Sequence, residues 1–237
     1  MRINRFLSIC AVASRRKSDE LILEGRVKIN GKTIDKPGVL INPLTDIVTV
    51  DDVKVKPKKK VYYKVYKPKG IITTTSDEKG RLNVLNLFNN NDEGIFPVGR
   101  LDKDSEGLLF LTNDGDFANS LIHPKHEIEK VYEVIVNKKL HEKELDSLRS
   151  GVRLKEGKTK PCEITLIRTT ASSTELIFVL KQGLNRQIRR MVETLEAEVT
   201  FLRRTFIGGI GLAGMKPGET RKLGYNELNE LKKNANT

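Results

Sequence analysis

The sequence predicts an α+β protein in two parts, a small basic unit over residues 1–60 and a larger unit over 61–237 whose mixed, largely antiparallel sheet is flanked by helices. Three observations predict it. Residues 1–60 hold 14 Lys plus Arg against 7 Asp plus Glu, a net of +7 out of the chain's +12. The tract Pro57-Lys58-Lys59-Lys60 has no apolar residue to pack and breaks the preceding periodicity, which marks a linker, although its lysines are also placed to touch a polyanion. Beyond it, strand-like and helix-like stretches alternate without regular βαβ spacing or a Gly-rich dinucleotide loop, which disfavours a doubly wound parallel sheet.

Phe6, Leu7, Ile9, Cys10 and Val12 share one side of a helical projection, predicting a helix from an N-cap at Asn4 to about Val12. Ser14 is placed to cap a second helix that carries Leu21, Ile22 and Leu23 and stops at Gly25. Arg15, Arg16 and Lys17 crowd its first turn against the helix dipole, at ~0.3–1 kcal/mol per charge. Cations kept at that cost point to an external anion such as phosphate, with a merely solvated helix end as the alternative. Arg26 to Ile34 alternates about Asn30-Gly31, predicting a hairpin whose type I′ turn needs positive φ twice. Val48 and Val50 stand across Asp51-Asp52 from Val53 and Val55, predicting two more short strands. In the larger unit, strands are expected at 61–66, 132–136, 163–167 and 174–180, and helices at 116–122, 140–149 and 185–196. The last starts from a polar cap and puts Ile188, Met191, Val192 and Leu195 on one face.

With 38% hydrophobic and 31% charged residues among 237, the chain can bury a core and lacks the composition of a disordered protein. A pI of 9.6 favours a polyanionic partner, because each Lys or Arg near a phosphate releases a condensed counterion. A well-solvated basic surface that binds nothing is the plainer alternative. Cys10 and Cys162 have no His or Cys at metal-ligand spacing, so neither a metal site nor a disulfide scaffold is indicated and both are expected to be buried small apolar residues. No leader resembles a secretory signal, and no run approaches the ~20 apolar residues of a membrane span. A cytoplasmic, monomeric protein without a membrane partner is expected.

Two stretches carry chemistry. In Gly99-Arg100-Leu101-Asp102-Lys103-Asp104-Ser105-Glu106-Gly107-Leu108-Leu109, a polar loop bounded by glycine feeds a hydrophobic strand, which fixes loop side chains on a rigid edge. Asp102 and Asp104 are its carboxylates, although a single Asp in such a loop is more often a turn former than a catalyst. In Gln182-Gly183-Leu184-Asn185-Arg186-Gln187-Ile188-Arg189-Arg190-Met191, three arginines begin a helix. Arg189 pointing inward with Ile188 would need a buried anion, for which Asp102 is a candidate. Equally, Arg186, Arg189 and Arg190 could all face solvent and bind phosphate.

Two resemblances bear on these alternatives. Ser14-Arg15-Arg16, Leu21-Ile22, Glu24-Gly25-Arg26-Val27 and Lys28-Ile29-Asn30-Gly31 resemble the S4 domain, a small RNA-binding module. Gly99-Arg100-Leu101-Asp102, Gly107-Leu108-Leu109, Lys130-Val131-Tyr132 and Asn185 to Met191 resemble the small-ribosomal-subunit-type branch of the pseudouridine synthases, as do Lys67-Pro68-Lys69-Gly70, Leu202-Arg203-Arg204 and Gly218 to Leu223. Ser105 and Leu184 make the chain most similar to the large-subunit (23S) ribosomal RNA synthase F subgroup.

The resemblance implies isomerisation of a specific uridine in structured RNA, with ribosomal RNA as partner, a transfer RNA as a candidate second substrate, and no cofactor. It assigns Asp102 as the essential carboxylate and places Tyr132 against the target base, where its ring stacks and its hydroxyl helps remove the C5 proton. Arg189 is the expected guanidinium partner of Asp102. The expected RNA contacts are Arg2, Arg5, Arg15, Arg16, Lys17, Arg26, Lys28 and Lys32 in the basic unit, with Arg100, Arg186 and Arg190 beyond it. A noncatalytic RNA-binding or ribosome-assembly factor would share the basic unit, and Asp102 discriminates the two.

Overall fold

The computed structural model describes residues 1–75, 77, 79–88 and 94–235. Two compact units are distinguished: Met1–Val61, joined by Thr112–Asp114 and the described residues just before Pro97, and the remainder of the chain. The first unit contains α1 (Ile3–Ile9), α2 (Arg15–Leu23), and a four-stranded sheet of β1 (Val27–Ile29), β2 (Lys32–Ile34), β3 (Val48–Val50) and β4 (Val53–Lys54). Phe6, Leu7, Leu21, Ile22, Val27 and Val48 form its core.

Local rules hold closely in this unit. Ser14 Oγ accepts the Lys17 N–H at 3.3 Å, capping α2 as its position predicts. Asn30 and Gly31 take φ of +51° and +80°, the pair of left-handed residues that the hairpin requires. Asp51 and Asp52 turn β3 into β4 in the same way, with φ of +49° and +65°. The first helix departs from expectation. Arg2 is its N-cap and it ends at Ile9, because Asn4 is buried and uses its amide to donate to Asp19 at 3.0 Å instead of capping.

The second unit follows in order: β5 (Tyr62–Lys67), β6 (Phe96–Val98), β7 (Glu106–Thr112), α3 (Gly115–Ile122), β8 (Lys130–Val136), α4 (Glu142–Ser150), β9 (Arg153–Leu154), β10 (Gly157–Lys158), β11 (Glu163–Thr169), β12 (Thr174–Leu180), α5 (Gln187–Glu193), β13 (Val199–Ile207), β14 (Ile210–Gly211), β15 (Thr220–Lys222) and α6 (Tyr225–Asn234). Its main sheet runs β11-β12-β8-β13-β7-β5-β15, with β14 on β13 and β6 on β7. The β11–β12, β12–β8, β8–β13 and β5–β15 pairs are antiparallel while β13 runs parallel to β7, so the sheet is mixed and largely antiparallel as expected. Alternation along β8 buries Tyr132 and Val134 and leaves Glu133 half-buried on the other face. Cys162 is half-buried, not buried, and its thiol donates to Leu148 O at 3.6 Å.

Register in the middle of this sheet sets the position of everything below. Arg204 on β13 lies opposite both Tyr132 on β8 and Gly107 on β7. α5 is shorter than the periodicity predicts. Asn185 is not its cap: the Gln187 side chain accepts the Leu184 N–H at 3.1 Å, folding the chain tightly before the helix and leaving Arg186 left-handed with φ of +47°. Among the described residues, no helix is long and apolar enough to cross a membrane.

Candidate active site

The loop from Gly99 to Ser105 enters β7 under unusually complete restraint, since each carbonyl from Arg100 to Ser105 accepts a hydrogen bond. Arg204 Nη1 donates to Arg100 O at 3.5 Å and Thr73 Oγ1 to Leu101 O at 2.8 Å. The Ser105 N–H closes a turn on Asp102 O at 3.1 Å, and the Gly70 N–H donates to Lys103 O at 2.7 Å. Arg189 Nη2 donates to Asp104 O at 3.2 Å, and Lys67 Nζ to Ser105 O at 2.7 Å. Loop backbone normally spends these acceptors on water; here they are spent on the protein, so the loop side chains are held from below. Asp102 emerges on the open side, half-buried, in the wall of a cavity of about 360 Å³ that Tyr132, Arg100, Arg186 and Arg189 also line.

The structure redistributes the expected arginine roles. Of the two positions left open for Arg189 the buried one is found, but its carboxylate partner is Asp104, at 3.3 Å, and it also reaches Ser105 Oγ at 3.2 Å and Val199 O at 2.9 Å. The guanidinium beside Asp102 is that of Arg186, with Nη1 3.6 Å from Oδ2 and 3.4 Å from Asp104 Oδ1. The reason is the short helix. Arg189 sits within α5 beneath the base of the loop, whereas left-handed Arg186, just outside it, reaches the loop's tip. Positive φ at a non-glycine residue is uncommon and is found disproportionately at functional sites. Arg190 turns elsewhere, pairing with Glu156 at 2.7 Å.

In the first unit the expected cations also separate into two groups. Arg26 is held by Asp51 at 2.6 Å and Glu24 at 3.2 Å, Lys28 by Asp52 at 2.5 Å, and Lys17 by Glu20 at 3.1 Å. Arg2, Arg15, Arg16 and Lys32 are exposed, and Arg5 is half-buried.

Two site residues escaped assignment from sequence. Lys67 is fully buried beneath the loop, and burial pulls its ammonium down to about 8 despite the attraction of Asp102, Asp104 and Glu106. Arg204, also buried, donates through Nε to Leu108 O at 2.8 Å, and its guanidinium lies 6.0 Å from the Tyr132 ring centroid. Their motifs were visible, but the role of each depends on register with strands far away in sequence. Lys67 supports a pH prediction. Because its folded value lies below 10.5, the unfolded chain binds more protons between about pH 8 and 10.5, so this group raises stability as pH climbs through that window. Chemical denaturation of wild type against Lys67→Met should show a wild-type-specific gain on the order of 2 kcal/mol between pH 8 and 10. Parallel curves would show that the buried amine does not titrate there.

The family model described as RNA pseudouridylate synthase matches residues 61–194, which include the Asp102 loop, Tyr132 and all of α5. The chain belongs to that family. The S4 domain model matches residues 1–47 of this pseudouridine synthase. It is 41% identical over 233 residues to the ribosomal large subunit pseudouridine synthase B of Bacillus subtilis, covering 98% of this chain and 95% of that one. It is 38% identical to the dual-specificity RNA pseudouridine synthase RluF of Escherichia coli, covering 98% of this chain and 78% of the relative. A solved pseudouridylate synthase superposes with a TM-score of 0.71 at 25% identity, over 98% of this chain and 99% of that one. The synthase is an isomerase that converts uridine to pseudouridine in RNA.

Proposed function

We propose that this synthase modifies a specific uridine of large-subunit (23S) ribosomal RNA, with Asp102 as the catalytic carboxylate, Tyr132 against the target base and Arg186 as the cation facing Asp102. The observation that carries this reading is the fully bonded 100–105 loop, which presents one carboxylate to a cavity walled by Tyr132. The name of the Bacillus subtilis relative supports a ribosomal large-subunit substrate, and that of the Escherichia coli relative supports RNA with a dual specificity. Residues 1–60 act as the docking domain and 61–237 as the catalytic domain of a cytoplasmic monomer.

The target base leaves its stack at a cost of a few kcal/mol and enters the cavity. The N1–C1′ bond breaks, the uracil turns, and C5 bonds to C1′; C5 then gives up its proton while N1 gains one, so the product is an isomer of the substrate. Asp102 acts at C1′, either by adding to it or by assisting departure of the base. Tyr132 stacks on the uracil and brings its hydroxyl to the C5 proton. Arg100 lies exposed on the same cavity wall, where it can fill the vacated stack or hold the backbone. Arg189 acts through the loop and is a positioning residue.

Pseudouridine mapping of ribosomal and transfer RNA from cells with and without the gene tests the assignment. Loss of one site in large-subunit RNA is expected, and an unchanged large-subunit map would refute it. A lost transfer RNA site would add a second substrate. Docking is tested separately with Arg15→Gln, Arg16→Gln and Lys32→Gln combined. RNA affinity should fall and the slope of log K against log salt should flatten by about 2, at ~0.7–0.9 for each phosphate that is no longer neutralised. An unchanged slope would remove these residues from the interface.

A further inference from the structure

Behind the Asp102 cavity lies a second one, of about 200 Å³, and the two share a wall made by Gly99, Arg100, Tyr132, Gln182, Gly183 and Leu184. We propose that this second cavity is an anion subsite that receives an RNA backbone phosphate next to the flipped uridine. The inference rests on the reading that the target base occupies the Asp102 cavity. Among the described residues, the charged and basic side chains lining the second cavity are Arg100, His123, Lys130, Lys181 and Arg204, without a single carboxylate.

Arg204 is 4% exposed and its Nη2 has no hydrogen-bond partner, while Nε and Nη1 are spent on Leu108 O and Arg100 O. Leaving a guanidinium N–H unsatisfied inside a protein is costly, and the cavity Arg204 lines is where an acceptor would arrive. Lys130 donates to Ile128 O at 2.7 Å and lies close enough to Arg204 that burial and the like charge together pull its ammonium down to about 8. Glu129 holds Lys181 at 3.3 Å, but both side chains are about half exposed, and this rim pair leaves the two inner cations unneutralised.

Two neighbouring cations without a carboxylate repel each other and lose hydration together. An uncharged base would satisfy one N–H and leave that repulsion in place, whereas a phosphate oxygen answers both the orphaned donor and the charge. A nucleotide bound in the first cavity carries phosphates on both sides of its ribose, so backbone phosphate is the anion that the shared wall delivers. A contact here fixes register without reading sequence.

Target RNAs carrying one neutral methylphosphonate linkage at successive positions around the uridine test this. With wild type, one linkage adjacent to the uridine should weaken binding roughly tenfold, the scale of a hydrogen bond to a charged group. With Lys130→Met that linkage should lose its effect, and Lys130→Arg should restore it. Where Lys130→Met does not fold, Lys130→Gln, which removes the charge and keeps a donor for Ile128 O, carries the same comparison. Insensitivity of wild type to every adjacent linkage would overturn the proposal, as would sensitivity that persists undiminished in the variants. Coupling of Lys130 to an abasic neighbour would assign the cavity to a base, and competition by inorganic phosphate without a linkage effect would assign it to a free anion; either overturns the backbone assignment. Wild-type turnover on unmodified RNA is read in parallel, and its failure would sink the substrate assignment without bearing on the linkage pattern.

Discussion

Asp102→Asn should reduce single-turnover release of tritium from C5-labelled uridine at least roughly a thousandfold, while RNA affinity and its salt slope stay within about twofold of wild type. The loop explains why the two effects separate. Its backbone is held by Arg204, Thr73, Gly70, Arg189 and Lys67, and none of those contacts uses the Asp102 side chain. Asparagine has nearly the same shape, and Arg186 keeps Asp104 at 3.4 Å when it loses the carboxylate 3.6 Å away. What disappears is the anion that acts at C1′. Asp104→Asn is the informative control. It removes the 3.3 Å ion pair to Arg189, so it should lower stability by about 1–3 kcal/mol, since that guanidinium is buried and Asp104 is not, and retain measurable turnover. Turnover by Asp102→Asn above a tenth of wild type would refute the catalytic assignment, and equal loss in both variants would point to the loop instead of the carboxylate.

The parts of this molecule that follow local rules were legible in the sequence, and the parts that depend on distant register were not. Asn30-Gly31 and Ser14 announced their turn and cap because positive φ and hydroxyl capping are properties of a few adjacent residues. The strand at Thr174–Leu180 and the loop-to-strand passage into Glu106 were equally plain. Asn4 misled because its buried contact with Asp19, 15 residues on, outweighed capping. Asp102 and Tyr132 were placed by resemblance, and geometry puts both in one cavity wall. The residues left Arg189 open between an inward and a solvent-facing position; it is buried, and its partner depended on where α5 begins, which an uncapped, left-handed Arg186 decided. Lys67 and Arg204 had no local signal for their roles. The bond from Arg204 to Leu108 O joins positions 96 residues apart, and it exists because β13 lies parallel to β7.

That pairing leads to the largest expected loss of stability. Gly107 has φ of +113°, and a Cβ there would stand 2.2 Å from Arg204 O and 2.7 Å from Arg204 N. Those atoms are backbone in a paired strand and cannot rotate away. Gly107→Ala therefore forces β13 outward besides straining its own backbone, and should cost about 3 kcal/mol or more in urea denaturation. Gly218→Ala isolates the conformational part, since Gly218 has φ of +87° and nothing within 4 Å of an added Cβ; it should cost only about 1 kcal/mol. The excess at Gly107 has a functional consequence. Moving Arg204 takes Nη1 from Arg100 O and the guanidinium from beneath Tyr132, so the folded fraction of Gly107→Ala should also turn over more slowly than Gly218→Ala. Equal losses of stability in the two variants would mean that β13 yields without cost, and Arg204 could not then be the rigid support that holds the Asp102 loop.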